Sequence, residues 1–375
     1  MCSARASRVA ERQRVGETLW NGEVSDQREL SSRGMAKVDL LGMDLRKMEE
    51  LVCEMGEKPF RARQLMKWIY EKGAESFAQM TDLSKDLRER LEEVSYLGSM
   101  RLVKRVDSRF DGATKFLFEL EDGERVETVL IREGERRTIC LSTQVGCPLG
   151  CTFCATGRIG LKRNLRAGEI VDQVIEVERL SRGKPTNLVL MGMGEPLLNY
   201  EEVLNSLSIF NSPYGLGIGA RKITLSTAGL VPQIERLAKE EIKVGLAISL
   251  NATTDRVRDW LMPINRRYPL GEILKAAKRF TQIGKRRLTF EYLLLAGVND
   301  SFEDATRLAK LVKGIPCKIN LIPYNPVAKA EFKRPYIQRV ELFKRWLYPL
   351  APTVTLRESK GRDIGAACGQ LRALY

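Results

Sequence analysis

Histidine is missing from all 375 residues. Any proton transfer near neutral pH therefore falls to Glu, Asp, Lys, Tyr or Cys, because the one side chain that ordinarily titrates there is absent. Metal sites that need imidazole are excluded for the same reason. Long apolar runs are lacking too: no stretch of eighteen apolar residues occurs, which argues against a membrane-spanning helix. The eight cysteines come without an apolar leader segment, so a reducing cytoplasmic setting is expected rather than a disulfide scaffold. Acid is the scarcer charge, with 48 Asp and Glu against 62 Lys and Arg, a formal net charge of +14. Such an excess suits a polyanionic partner, since Lys and Arg release counterions when they neutralise phosphates.

What is present is concentrated in Cys147-Pro-Leu-Gly-Cys151-Thr-Phe-Cys154. This spacing offers three thiolates, soft donors suited to an iron–sulfur cluster. Three ligands on a four-iron cluster leave one iron open for a second molecule. Zinc would ask for a fourth Cys or His. Gly146, Pro148 and Gly150 make the segment rich in turn formers, as expected of a loop wrapped around something.

Along the chain, residues 1–34 are polar and aperiodic, and are expected to be a disordered tail, or to precede a true start at Met35. Residues 35–100 show helical periodicity, with Leu45, Met48, Leu51 and Val52 on one face. Lys58, Arg61, Arg63 and Lys67 punctuate this module, either as a solvated face or as a grip on RNA backbone. Residues 101–135 read as a β-hairpin linker turning at Glu121-Asp-Gly123. From 136 to 375, strands at 139–145, 188–193, 222–226, 244–250, 288–295 and 319–324 alternate with amphipathic helices. That pattern predicts an α/β fold, a partial (βα)6 barrel left open at one side. In such folds the chemistry sits at the carboxyl ends of the strands.

Short polar motifs fall at those ends. Met191-Gly-Met-Gly194-Glu195-Pro196 combines glycines that permit close approach with a carboxylate for an ammonium group. Ser226-Thr-Ala-Gly229, Ser249-Leu250-Asn251 and Asn325 supply small hydroxyl and amide groups fit for a ribose or carboxylate. Each alone is also an ordinary turn or helix cap. Period-two alternation puts Cys140, Ser142 and Gln144 on one face, expected to point into the barrel. Cys368 lies in Gly365-Ala-Ala-Cys-Gly369, a segment open to close approach by bulky groups.

Taken together, these motifs resemble the dual-specificity 23S ribosomal RNA and tRNA adenine-C2 methyltransferases of the radical S-adenosylmethionine (SAM) class. The resemblance runs from about Met35 to the end. Many members carry His where this chain has Asn251. It implies that Cys147, Cys151 and Cys154 hold a 4Fe-4S cluster with SAM on the open iron. It implies SAM contacts at Gly194, Glu195, Ser226, Ser249, Leu250, Asn251 and Asn325. Carbon 2 of adenine is too electron-poor to attack a methyl group directly. The family route is that Cys368 takes a methyl from one SAM and a radical from a second SAM activates it toward adenine. Glu127 in Arg125-Val-Glu-Thr-Val129 matches the base that removes the carbon-2 proton, and Cys140 releases product by forming a disulfide with Cys368. A monomer fed by a flavodoxin- or ferredoxin-like electron donor is implied, with no membrane partner. Two readings compete: methylation at adenine C8, as in the related resistance enzymes, and a non-catalytic iron–sulfur RNA-binding protein. Basic groups at Arg158, Lys162, Arg163 and Arg166, and at Arg266, Arg267 and 285–287, are candidates for phosphate contact.

Overall fold

The computed structural model describes residues 37–328, 330–351 and 353–373; the expectations for a tail or an alternative start lie outside them. Helices Leu45–Glu54, Phe60–Met66 and Lys85–Val94 form where the apolar spacing called for them. Asp44 and Ser84 start two of them by accepting the amides of Lys47 and Leu87, which satisfies donors no helix can satisfy internally. Met48, Val52, Leu65, Leu87 and Leu91 are fully buried between these helices. Burial of that kind contributes about 1.5–3 kcal/mol per side chain.

Ten strands then form a single sheet in which every strand pairs with its neighbour in sequence. They are β1 (Arg101–Asp107), β2 (Ala113–Glu119), β3 (Arg125–Glu133), β4 (Arg136–Cys140), β5 (Asn187–Leu190), β6 (Ile223–Thr227), β7 (Gly245–Ser249), β8 (Leu288–Leu294), β9 (Cys317–Pro323) and β10 (Val354–Leu356). β1 to β4 pair antiparallel, and from β4 to β10 every pairing is parallel. Helices between the parallel strands cover the outside, as the alternation predicts. β1 and β10 are the two edges, so the barrel is partial. The segment expected as a linker is thus hydrogen-bonded wall, continuous with the barrel sheet.

Two differences from the sequence reading matter for the site. The first barrel strand ends at Cys140 rather than at residue 145, because Gln144–Cys147 leaves the sheet and pairs antiparallel with Gly160–Asn164. Ser142 and Gln144 consequently do not point into the barrel. Both are fully buried: Ser142 Oγ donates to the Glu127 carbonyl at 2.6 Å, and Gln144 Oε1 accepts the Glu195 amide at 2.8 Å. The second difference is β10, too short at three residues for periodicity to reveal. Beyond it the chain crosses the open side back to the antiparallel wall. There the Gly361 amide meets the Asp111 carboxylate at 2.8 Å and Lys115 Nζ donates to the Gly365 carbonyl at 3.3 Å.

Candidate active site

The cysteine loop hangs from the carboxyl end of the barrel. Gly146 (φ +83°) and Gly150 (φ +63°) bend it in left-handed conformations that side chains resist. At Gly146 a Cβ would sit 1.8 Å from the Gly160 carbonyl oxygen, so only glycine fits. The Thr152 amide donates to the Leu261 carbonyl at 3.0 Å, and the Ala155 amide to the Gly369 carbonyl at 2.7 Å. The loop is therefore tied both to a barrel helix and to the segment that carries Cys368.

Cys147 and Cys151 are buried and Cys154 is half-buried. Burial pushes the first two thiols well above their ordinary range, and the neighbouring cysteines push them further. Crowded, soft donors that resist ionisation on their own suit a strongly cationic cluster, which reverses both effects. Among the described residues no three Cys, Asp or Glu converge tightly enough for a single metal ion. A four-iron cluster spreads its ligands wider than one ion does, and three soft thiols on one bent loop match its donor set. The residues fit the group.

Gly194 (φ +103°) lies against Gln144, whose Cβ an added methyl would approach to 2.6 Å. Beside it, the Glu195 carboxylate is buried and accepts the amides of Ala228 at 2.7 Å and Leu197 at 3.1 Å. Burial raises its pKa to about 7, against the lowering pull of those amides. An ammonium group placed there would restore full ionisation, which is the chemistry expected of a SAM amino-group contact.

The other expected SAM contacts have jobs within the protein. Ser226 Oγ donates to Glu291 at 3.2 Å. Asn251 takes a left-handed backbone (φ +56°) that Asn tolerates better than most residues. Its side-chain oxygen accepts the Leu293 amide at 2.9 Å. Asn325 Nδ2 donates to Ser359 Oγ at 2.9 Å and to the Cys368 carbonyl at 3.2 Å, so it positions the Cys368 segment.

Sequence reasoning missed Arg258. This guanidinium is fully buried and donates to the carbonyls of Ala228, Ser249 and Leu250 and to Asn265 Oδ1. It knots two of the polar strand-end motifs together and is the principal positive influence on Cys151. Burial holds its own pKa down to about 10. No motif marks it, and its i, i+4 neighbours gave no signal.

Cys140 and Cys368 line one cavity of about 280 Å³, together with Met191, Glu291, Asn320 and Arg357. Burial pushes the Cys140 thiol up to about 11, opposed chiefly by Arg357. Cys368 keeps an exposed flank at the cavity edge, yet surrounding protein and Glu291 push it up to about 12, with Arg357 opposing. Arg357 reaches Glu291 at 3.5 Å and Met191 Sδ at 3.3 Å. It is the cation that acts on both thiols, and sequence reasoning missed it as well.

Glu127 is fully buried and pairs with Lys115 at 3.0 Å, while its second oxygen accepts the Arg372 amide at 2.8 Å. By strand alternation it shares a face with Val129, which lines the cavity, but Leu371 rather than Glu127 borders the space itself. Of the basic groups after this loop, Lys162 pairs with Glu124, Arg163 with Asp122 and Glu169, and Arg166 with Glu121 and Glu169, while Arg158 donates to the carbonyls of Thr152 and Ala328.

The family profile for the ribosomal RNA large subunit methyltransferase N-terminal domain matches residues 38–97, and that of the radical SAM superfamily matches 141–309. The dual-specificity RNA methyltransferase RlmN of Geobacter sulfurreducens is 48% identical over 89% of this chain and 92% of its own. The probable dual-specificity RNA methyltransferase RlmN of a Thermoanaerobacter species is 47% identical over 90% and 98%. A crystal structure of a radical SAM methyltransferase from Sphaerobacter thermophilus superposes with a TM-score of 0.87. It shows 45% identity and covers 90% of this chain and all of that one. These likenesses, over about nine-tenths of the chain, leave one assignment: the chain belongs to the RlmN family of radical SAM methyltransferases.

Proposed function

We propose that this protein methylates carbon 2 of adenine in 23S ribosomal RNA and in tRNA, with Cys368 carrying the methyl group and Cys140 releasing the product. The names of its relatives support the RNA substrate. The observation that carries the two-cysteine reading is that Cys140, on the first barrel strand, and Cys368, near the far end of the chain, border the same cavity.

When bound, the cluster on Cys147, Cys151 and Cys154 and its SAM supply a one-electron route to an otherwise unreactive methyl group. The chain's own residues do the rest. Glu195 and the glycines before it hold the amino-acid end of SAM. Arg357 offers a positive charge to whichever thiol must ionise, which matters because both resist it. Glu127, held by Lys115, accepts the carbon-2 proton. Cys140 then attacks the Cys368 sulfur; a disulfide forms, the sulfur–carbon bond breaks, and its electron pair leaves with the methylene carbon, which takes a proton to become the methyl group on the base. An external thiol or reductase resets the pair. A monomer in the cytoplasm, drawing electrons from a flavodoxin or ferredoxin, completes the reading; among the described residues no helix is long and apolar enough to cross a membrane.

Anaerobic reconstitution with SAM, reductant and RNA, followed by nucleoside mass spectrometry, tests the proposal and separates C2 from C8 methylation. Cys140→Ala is expected to accumulate a covalent RNA adduct at Cys368. Absence of any adduct from an otherwise cluster-loaded variant would overturn the two-cysteine scheme.

A further inference from the structure

The cavity between Cys140 and Cys368 does not stop there. Strand β4 starts at Arg136 and ends at Cys140, and both line the space, so the hollow runs the length of the strand. Its middle wall is built of Val129, Ile131 and Val189 on one side and of the shorter Thr138, Thr224, Ala247 and Thr289 on the rest. In a closed eight-stranded barrel, bulky Val, Ile and Leu fill those layers. Short side chains here leave a shaft from the amino ends of the strands to the reactive sulfurs.

Cations predominate at the far mouth. Arg136 opens β4, Arg287 directly precedes β8, and Lys318 is the second residue of β9. Among the described residues none of the three has a carboxylate within ion-pair distance; Glu133, cross-strand from Arg136, pairs with Lys360, and Glu291 pairs with Arg357. The Lys318 ammonium is held below its usual range by burial first, then by Arg287, with Arg136 and Arg357 adding to it and Glu291 opposing. Three cations crowding one another at the entrance of a cavity are unfavourable in the protein alone. A polyanion relieves them.

Resting on the function proposed above, we propose that RNA docks at the amino end of the barrel, phosphates against Arg136, Arg287 and Lys318, and that the target adenine is inserted up the shaft to Cys368. The cluster and SAM then work from the opposite end. A volume of about 280 Å³ falls just under the range of whole-ligand pockets, about 300–1,000 Å³. One splayed-out base fits, and a helix does not. Extracting a base from its stack costs a few kcal/mol, which the phosphate contacts offset.

The test uses the full chain, cluster-loaded, with transcripts of tRNA and of a 23S ribosomal RNA domain. Arg136→Glu/Arg287→Glu alters two exposed residues. Its RNA affinity is expected to fall at least about tenfold, with the salt dependence shallower by about two phosphate contacts and iron content unchanged. Ala247→Leu plugs the shaft and leaves the rim intact. It is expected to bind RNA within about twofold of wild type while methylation drops at least about tenfold. Wild-type affinity and salt slope in the double variant, or wild-type methylation in Ala247→Leu, would overturn the inference. Wild-type enzyme that methylates no adenine overturns the proposed function instead, and the binding measurement still judges the docking end.

Discussion

At the carboxyl end of the barrel, Arg163 is clasped by Asp122 and Glu169, Lys162 by Glu124, and Arg258 by a ring of carbonyls. At the amino end, Arg136, Arg287 and Lys318 crowd one another with no ion pair of their own among the described residues, and the nearby acids Glu133 and Glu291 pair with Lys360 and Arg357 instead. Both rims are basic in sequence, and only one is basic in effect. A charge satisfied within the fold positions structure; a charge left unsatisfied is available to a partner. The carboxyl rim invests its arginines in holding the cluster loop, the strand-end motifs and the hairpin in register. The amino rim leaves its cations for phosphate.

The sharpest way to separate the two ends is to empty one. Cys151→Ala is expected to lose the iron–sulfur chromophore and bring methylation to background, while RNA affinity stays within about twofold of wild type. Loss of RNA binding along with iron would collapse the distinction between the ends. Glu127→Gln keeps the hydrogen bond from Arg372 but removes the base. Resolution of the RNA adduct should slow by roughly 10²–10⁴-fold, read by single-turnover chase. Arg258→Met touches only the carboxyl end. It leaves several buried carbonyls without donors, each worth about 1–3 kcal/mol, so chemical denaturation should show about 2–4 kcal/mol lost and iron loading weakened.

The smallest expected effect lies away from both rims. Asp172 accepts the amides of Ser99 and Met100, and burial raises its carboxyl from 3.8 to about 7. The fold therefore keeps a proton that the unfolded chain has already released. Stability from this site is fully present below about pH 4 and declines as pH climbs toward 7. Asp172→Asn should flatten that slope in thermal melts at pH 5 and pH 7.5, leaving the rims untouched.

The candidate cluster ligands stand out from spacing because they are local: three thiols lie within eight residues, on one loop that Gly146 and Gly150 bend. The barrel strands were readable from alternation with helices, and the polar strand-end motifs from their position after each strand. Residues whose roles depend on distant partners were not. Ser142 and Gln144 look like lumen residues on a longer strand, until Gln144 turns away to pair with Asn164. Asn251 and Asn325 read from sequence as cofactor contacts, and only the structure shows that their amides also fasten the β8 backbone and the Cys368 segment. Arg258 and Arg357 carry no motif at all.

By itself, then, the order of residues determined the groups on which the proposed chemistry rests: three thiols within eight residues, two more at Cys140 and Cys368, no imidazole to help. Tertiary structure decided where that chemistry is reached from. Whether an arginine is spent or free is a property of what packs beside it, and the acids that neutralise Arg163 or leave Arg287 bare come from elements that meet only when the sheet curls. Local spacing encodes a ligand set, and only the closed-up wall encodes a doorway.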